Sequence, residues 1–228
     1  MPVVAFAVIA LIVAGGVWWF QFQLKRKRIA NLFAVAQRLG FQFSEVDPHG
    51  TVGLPFPLFT KGVKRRVENV MWGEHDGVPI RAFDYWYYDE TSDTNGNRSR
   101  QYHRFTCAAV VIAADCPSLR IGHESVLSRL GSAIGFHDIE LEYDDFNREY
   151  RVRCEDQKFA FSLLDGRMME FLLKIGSIDA LEIVGPFVLI TTGKLSSEHW
   201  PALIGTAEQF HAHIPSVVWT TWPRTSQR

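Results

Sequence analysis

The sequence predicts an α+β fold, a mainly antiparallel sheet with packed helices, preceded by one N-terminal transmembrane helix. Three observations carry that expectation. Val3 to Phe20 contain no charged side chain, and Lys25-Arg26-Lys27-Arg28 follow after Phe22 and Leu24 extend the run. Strand-like stretches joined by short turns then dominate up to Ala114. From there on helical and hairpin patterns alternate, an order that points to α+β rather than to parallel βαβ units.

The first stretch reads as a helix. At about 1.5 Å per residue, some 20 apolar residues cross a hydrocarbon layer about 30 Å thick, and a strand would leave its backbone unsatisfied in lipid. Trp18, Trp19 and Phe20 stand where amphipathic rings favour the interface. A cleaved secretory signal has the opposite layout, with its basic residues first and small residues at the cut. Here bulky Val17-Trp18-Trp19 follow Ala14-Gly15-Gly16. The positive-inside rule keeps Lys25 to Arg28 in the cytoplasm, so a single-pass protein of the cell membrane with a cytoplasmic domain is expected. The same cluster could touch anionic headgroups, but orientation is explanation enough. The partition is 1–24 as anchor, 25–40 as juxtamembrane helix, 41–215 as the globular domain and 216–228 as a C-terminal tail.

Composition narrows the rest. Hydrophobic residues make up 47% and aromatic residues 13% of the 228, ample for a buried core and against disorder. A net charge of −1 leaves no electrostatic footprint for nucleic acid. Cys107, Cys116 and Cys154 are odd in number and lack CxxC spacing, which fits free thiols in a reducing compartment.

Taken in order, Ile29, Leu32, Phe33, Ala36 and Leu39 form a helical stripe that continues the anchor until Gly40. Asp47 to Lys64, with Pro48, Pro55 and Pro57, reads as an ordered linker wrapping the domain. Arg66–Gly73 and Val78–Tyr88 make a hairpin through Glu74-His75-Asp76-Gly77. Gln101–Ala114 is a central strand after a polar loop at 89–100, and Ser118–Ile121 is a further short strand. Glu124–Ile134 follows as a helix. Alternation of Ile139, Leu141 and Tyr143 with Tyr150, Val152 and Cys154 predicts a hairpin setting Glu142 opposite Arg151 and Glu140 opposite Arg153. Gln157–Ile175 is helical with a break at Asp165-Gly166, where Asp165 caps the second half. Ala180–Thr192 reads as a hairpin turning at Gly185-Pro186. Glu198–Ile214 is the last helix, with Ser197 as its cap and Pro201 in its first turn; Trp219 and Trp222 could dock back.

Asp138-Ile139-Glu140-Leu141-Glu142, Phe146-Asn147-Arg148-Glu149-Tyr150-Arg151-Val152, Phe159-Ala160 and Asp165-Gly166-Arg167-Met168-Met169 form a recognisable set. Together with Gly77-Val78-Pro79-Ile80 and Phe83-Asp84-Tyr85, they resemble a bacterial family of single-pass membrane-anchored proteins of unknown function, over roughly Gly73 to Leu189. That family tends to have Pro where this chain has Gly166. The resemblance implies an anchored, globular, cytoplasmic domain and no activity.

No motif for chemistry stands out, and no catalytic, cofactor-binding or metal-ligating residue is assigned. His211 and His213 are two apart, which on a helix sends them to different faces; His199 adds no chelating spacing. The acidic group Glu140, Glu142, Asp144 and Asp145 lacks the fixed oxygen positions and central Gly of a calcium loop. Neither a G-x-S-x-G elbow nor a phosphate-binding glycine loop occurs, and Ser125 lacks such a context. Cys116 has no activating cation in its vicinity along the chain. Asp84, inside the aromatic run Phe83 to Tyr88, is the oddest polar position and predicts an edge-facing or arginine-paired carboxylate. Tyr85 to Tyr88 could divide between core and sheet surface or form a recognition surface. The functional expectation is a membrane-anchored protein-interaction or scaffolding module, with the bilayer as partner through Val3–Phe20. The alternatives are an enzyme with an unrecognised site and an envelope component whose domain lies outside.

Overall fold

A computed structural model describes residues 2–92, 98–130, 135–176 and 178–224, with backbone alone at 2–10 and 128–130. One 25-residue strand organises the sheet. This strand, β4 (Arg98–Gly122), pairs with β3 (Val78–Ser92) over its first half and with β6 (Arg151–Cys154) at its far end. On its opposite edge β7 (Ala180–Gly193) accompanies it from Phe105 to Gly122. Beyond β3 lie β2 (Lys64–His75) and then β1 (Gln42–Val46); beyond β6 lies β5 (His137–Ile139). Every pairing is antiparallel, and the class is the α+β expected.

Turn chemistry explains the β2–β3 hairpin. Asp76 and Gly77 both take positive φ, at 47° and 79°, as a two-residue turn matched to strand twist requires. Of two expectations about the other long strands, one is corrected and one is met. Gln101–Ala114 and Ser118–Ile121 belong to one long strand, whereas Ala180–Thr192 folds back at Gly185-Pro186 as expected, bringing Asp179 N to donate to Thr191 O at 2.8 Å. The turn of β7 lies opposite two register shifts in β4 between Val111 and Leu119, so β4 passes around it. Pro186 falls in that gap, where its missing N–H costs nothing, and Gly185 adopts the left-handed φ of 56°.

The hairpin predicted from Ile139 to Cys154 is also corrected. Asp144–Glu149 forms a short helix, α3, because Phe146 is driven into the core and Asn147 grips Leu141, accepting from its N–H and donating to its carbonyl. The strand therefore ends at Ile139, and Asp138 rather than Glu140 faces Arg153, accepting from its Nε at 2.9 Å. Arg151 pairs with Glu124, not with Glu142. The register has moved by two residues, which preserves face parity, so Ile139, Val152 and Cys154 still point inward.

Alternation along β3 divides the interior in two. Val78, Ile80 and Ala82 join the larger core, and Phe83, Tyr85 and Tyr87 join a smaller one on the other face. The larger core lies beneath α1 (Pro2–Leu39), α4 (Gln157–Leu163), α5 (Gly166–Ile175), α6 (Trp200–His213) and α7 (Ser216–Thr221). Asp165 caps α5 as expected, accepting from Met168 N at 2.8 Å. Ser197 does not cap the last helix: it opens a 3-10 turn, and α6 starts at Trp200 with Pro201 in its first turn. Trp222 docks edge-on to Phe159 at 5.0 Å, and its carbonyl accepts from Asp115 N.

The smaller core is closed by the proline-rich linker and by Leu127 of α2 (Glu124–Leu130); the rest of the helix expected to Ile134 lies outside the described residues. Phe56, Leu58 and Phe59 of the linker are buried, and the sheet reaches up to hold its carbonyls. Tyr85 Oη donates to Leu58 O at 3.1 Å and Arg65 Nη1 to Phe59 O at 3.2 Å. Truncating Phe59 removes the ring that meets Phe56, Phe83 and Tyr85. Phe59→Ala is expected to cost about 3–5 kcal/mol, read as a fall in melting temperature of roughly 10 °C.

Candidate functional site

Helix α1 crosses the sheet on a single stripe. Leu32, Val35 and Ala36 bury themselves over β1 and β2, and Gly40 ends the helix with Phe41 N donating to Ala36 O at 2.9 Å. One turn before Leu32 the same stripe carries Arg28, a member of the basic cluster that sequence reasoning assigned to orientation alone. Its guanidinium grips Asp84 with both prongs, Nε to Oδ2 at 2.9 Å and Nη2 to Oδ1 at 2.7 Å. Asn69 Nδ2 donates to Oδ2 at 2.8 Å and Thr106 Oγ1 to Oδ1 at 3.1 Å, so each carboxylate oxygen accepts two bonds. Asn69 reaches it because a bulge in β2 sets its φ to 55°. Of the two expected states, edge-facing or arginine-paired, Asp84 takes the second.

Toward the N-terminal side of this pair α1 and the sheet part, leaving a cleft of about 630 Å³. Gln21, Leu24, Lys25 and Arg28 form one wall; Trp86, Tyr102, Arg104 and Lys194 stand among those facing them. The aromatic run is split by strand alternation, with Tyr85 and Tyr87 in the smaller core and Trp86 at the cleft. Tyr102 lies 5.9 Å from Trp86, ring to ring, and the Arg104 guanidinium sits over Tyr102 at 5.1 Å. Four cations and two carboxylates line the space. Asp84 is neutralised by Arg28, and Glu68 has Arg66 at 3.7 Å. Lys25, Arg104 and Lys194 have no ion pair among the described residues. Burial pushes the Lys194 amine below its ordinary range, and the nearby Arg28 and Arg104 push the same way against Asp84 and Glu68.

Other groups fall elsewhere. The three histidines flagged by spacing do not converge: His213 Nδ1 donates to Gln209 O, His211 packs on Trp219 and His199 pairs with Ser196. His75, Asp76 and Glu208 do approach, with ligand atoms within 4.8 Å, although 133 residues separate His75 from Glu208 and no sequence spacing announces them. Cys107, Cys116 and Cys154 are free and buried; burial raises all three thiols, Cys116 to about 12 and Cys154 to about 11. On the smaller-core face Glu182 sits directly opposite Arg120, 3.8 Å from its Nε, too far for a hydrogen bond. Burial pushes the Glu182 carboxyl up to about 7, offset in part by Arg120 and Lys61.

Among solved structures the fold has a counterpart. It is similar to the crystal structure of the mycobacterial trehalose monomycolate transport factor A, TtfA. The TM-score is 0.63 at 12% identity, over 89% of this chain and 99% of that one. No family model matches the chain, and no curated protein matches it. Among the described residues no helix is long and apolar enough to cross a membrane; of the span expected at Val3–Phe20, side chains 3–10 lie outside the described set.

Two measurements follow from these pairs. Asp84→Asn should cost about 3 kcal/mol by leaving Arg28 half-buried without its charge partner; adding Arg28→Met should cost little more, so a urea-unfolding cycle should be strongly non-additive. Glu182 is raised above its ordinary value of 4.5, so its contribution is full below that value and is lost as pH rises through about 7. Relative to Glu182→Gln, the wild type should lose roughly 3 kcal/mol between those limits. Parallel stability curves for the two proteins would show that Glu182 does not titrate there.

Proposed function

We propose that this chain is a non-enzymatic module tethered to the cell membrane, which holds a protein partner at the cytoplasmic face in the service of envelope transport. The observation that carries the reading is the state of α1 beyond the domain. Leu11, Ile12, Trp18, Trp19 and Phe20 are 57–73% exposed on a helix that continues unbroken into the fold. An apolar surface of that extent is stable in water only when something covers it, and the sequence up to Phe20 suits a bilayer. In this reading Lys25 to Arg28 stay on the cytoplasmic side, as does the domain. Three buried thiols suit a reducing compartment. The likeness to a transport factor is a likeness of fold, and it makes transport the process in which a partner is best sought.

The cleft itself is what an enzyme reading would use, since catalytic sites are concave with convergent polar groups. Its carboxylate weighs against that use. Asp84 already accepts two bonds on each oxygen, leaving no lone pair directed at a substrate proton.

Topology tests the reading. With the native thiols buried, Lys158→Cys on the exposed surface of α4 gives a single reactive site. The protein should fractionate with membranes through alkaline carbonate washing, and Cys labelling by an impermeant maleimide should occur only after the cells are opened. Labelling of intact cells would place the domain outside and make it an envelope component.

A further inference from the structure

We infer that the cleft between α1 and the sheet binds the phosphodiester headgroup of an anionic phospholipid, an inference that rests on the membrane reading above. Charge is the first argument. Arg28 and Arg66 account for both carboxylates of the cleft, whereas Lys25, Arg104 and Lys194 converge on it from α1, β4 and the loop after β7 with no ion pair among the described residues. Like charges gathered without a counterion repel one another, and an anion among them reverses that repulsion. Phosphate, with several acceptor oxygens, can take donors from three directions at once.

Position is the second argument. Along α1, Lys25 lies five residues past Phe20, about 7–8 Å further out at 1.5 Å per residue. The headgroup layer on each side of a bilayer is about 5–8 Å deep. The mouth of the cleft, at Gln21, Leu24 and Lys25, therefore stands at headgroup level if the apolar run ends in the hydrocarbon. Its walls match an amphiphile: Leu24 and Trp86 present apolar surface beside the cations, and Tyr102 carries Arg104 on its face. A headgroup could enter from the membrane plane while its acyl chains remained beside the apolar helix.

The test uses the full chain reconstituted in vesicles of phosphatidylcholine, whose choline cation the cluster repels, or of phosphatidylcholine containing phosphatidylglycerol. Acetylation of Lys194 by a water-soluble reagent is followed by mass spectrometry, with exposed Lys158 as the internal control. Phosphatidylglycerol should slow Lys194 modification about fivefold, the effect of one basic contact at an anionic surface, and leave Lys158 unchanged. Arg104→Gln, an exposed position, should abolish most of that protection without altering flotation. Equal Lys194 rates in both vesicles, or equal protection of Lys158, would overturn the inference. Free glycerol phosphate giving the same protection would assign the cleft to a soluble ligand and overturn the lipid source. Flotation without protection sinks this inference alone, whereas failure to float with either vesicle sinks the membrane reading and this one with it.

Discussion

A carboxylate buried in the middle of an aromatic strand is costly unless it is paired, and Asp84 is paired by a helix that arrives from outside the sheet. That requirement sets the geometry of much else. Arg28 can reach Asp84 only if α1 lies across β1 and β2 with Leu32, Val35 and Ala36 turned inward, which fixes the rotation of the helix about its axis. It also requires the bulge that brings Asn69 to the second oxygen. Because the pair is bidentate, it constrains orientation as well as distance, a role that a single lysine contact would not fill.

One helix thereby carries two kinds of surface. Its C-terminal part is core, the stretch from Leu11 to Leu24 presents exposed apolar side chains, and the join between them is made of charge. The cleft exists because these demands differ. Close packing needs small or aliphatic side chains facing the sheet, and Gln21, Lys25 and Arg28 hold the helix off at the place where long polar stems replace them. On the sheet side the same transition is visible along one face, from Ala82 in the core through Asp84 to Trp86 at the cleft.

Much of this was legible in the sequence where the signal is local. The Asp76-Gly77 turn, the Asp165 cap, the wrapping linker and the docking of the terminal tryptophans all follow from chemistry within a few residues. What failed depends on neighbours distant in sequence. Gln101–Ala114 reads as a complete strand until its ladder is seen to continue to Gly122, and Asp144 to Glu149 reads as a hairpin loop until Phe146 finds a core to enter. The edge strand β1 escaped notice because its five residues have no clear alternation. Of the site, Asp84 was identified as anomalous with the correct class of partner. Arg28 could have been named as that partner, since the 28, 32, 35, 39 spacing puts it on the buried stripe, but its place in a basic cluster gave it another explanation. Lys194 and Arg104 carry no sequence signal at all, because only the β4–β7 ladder makes them neighbours.

The folding back of β7 at Gly185-Pro186 bears on how copies of this molecule meet. Each of its arms pairs with β4, and Asp179 N bonds Thr191 O where the two arms come together. The longest strands of the sheet thus spend their backbone groups on one another rather than offering a row of them to another extended chain. The strand path ends instead at β1 and β5, of five and three residues, each a poor template for a stacked or fibrous neighbour. A turn in the middle of the sheet acts as protection against aggregation.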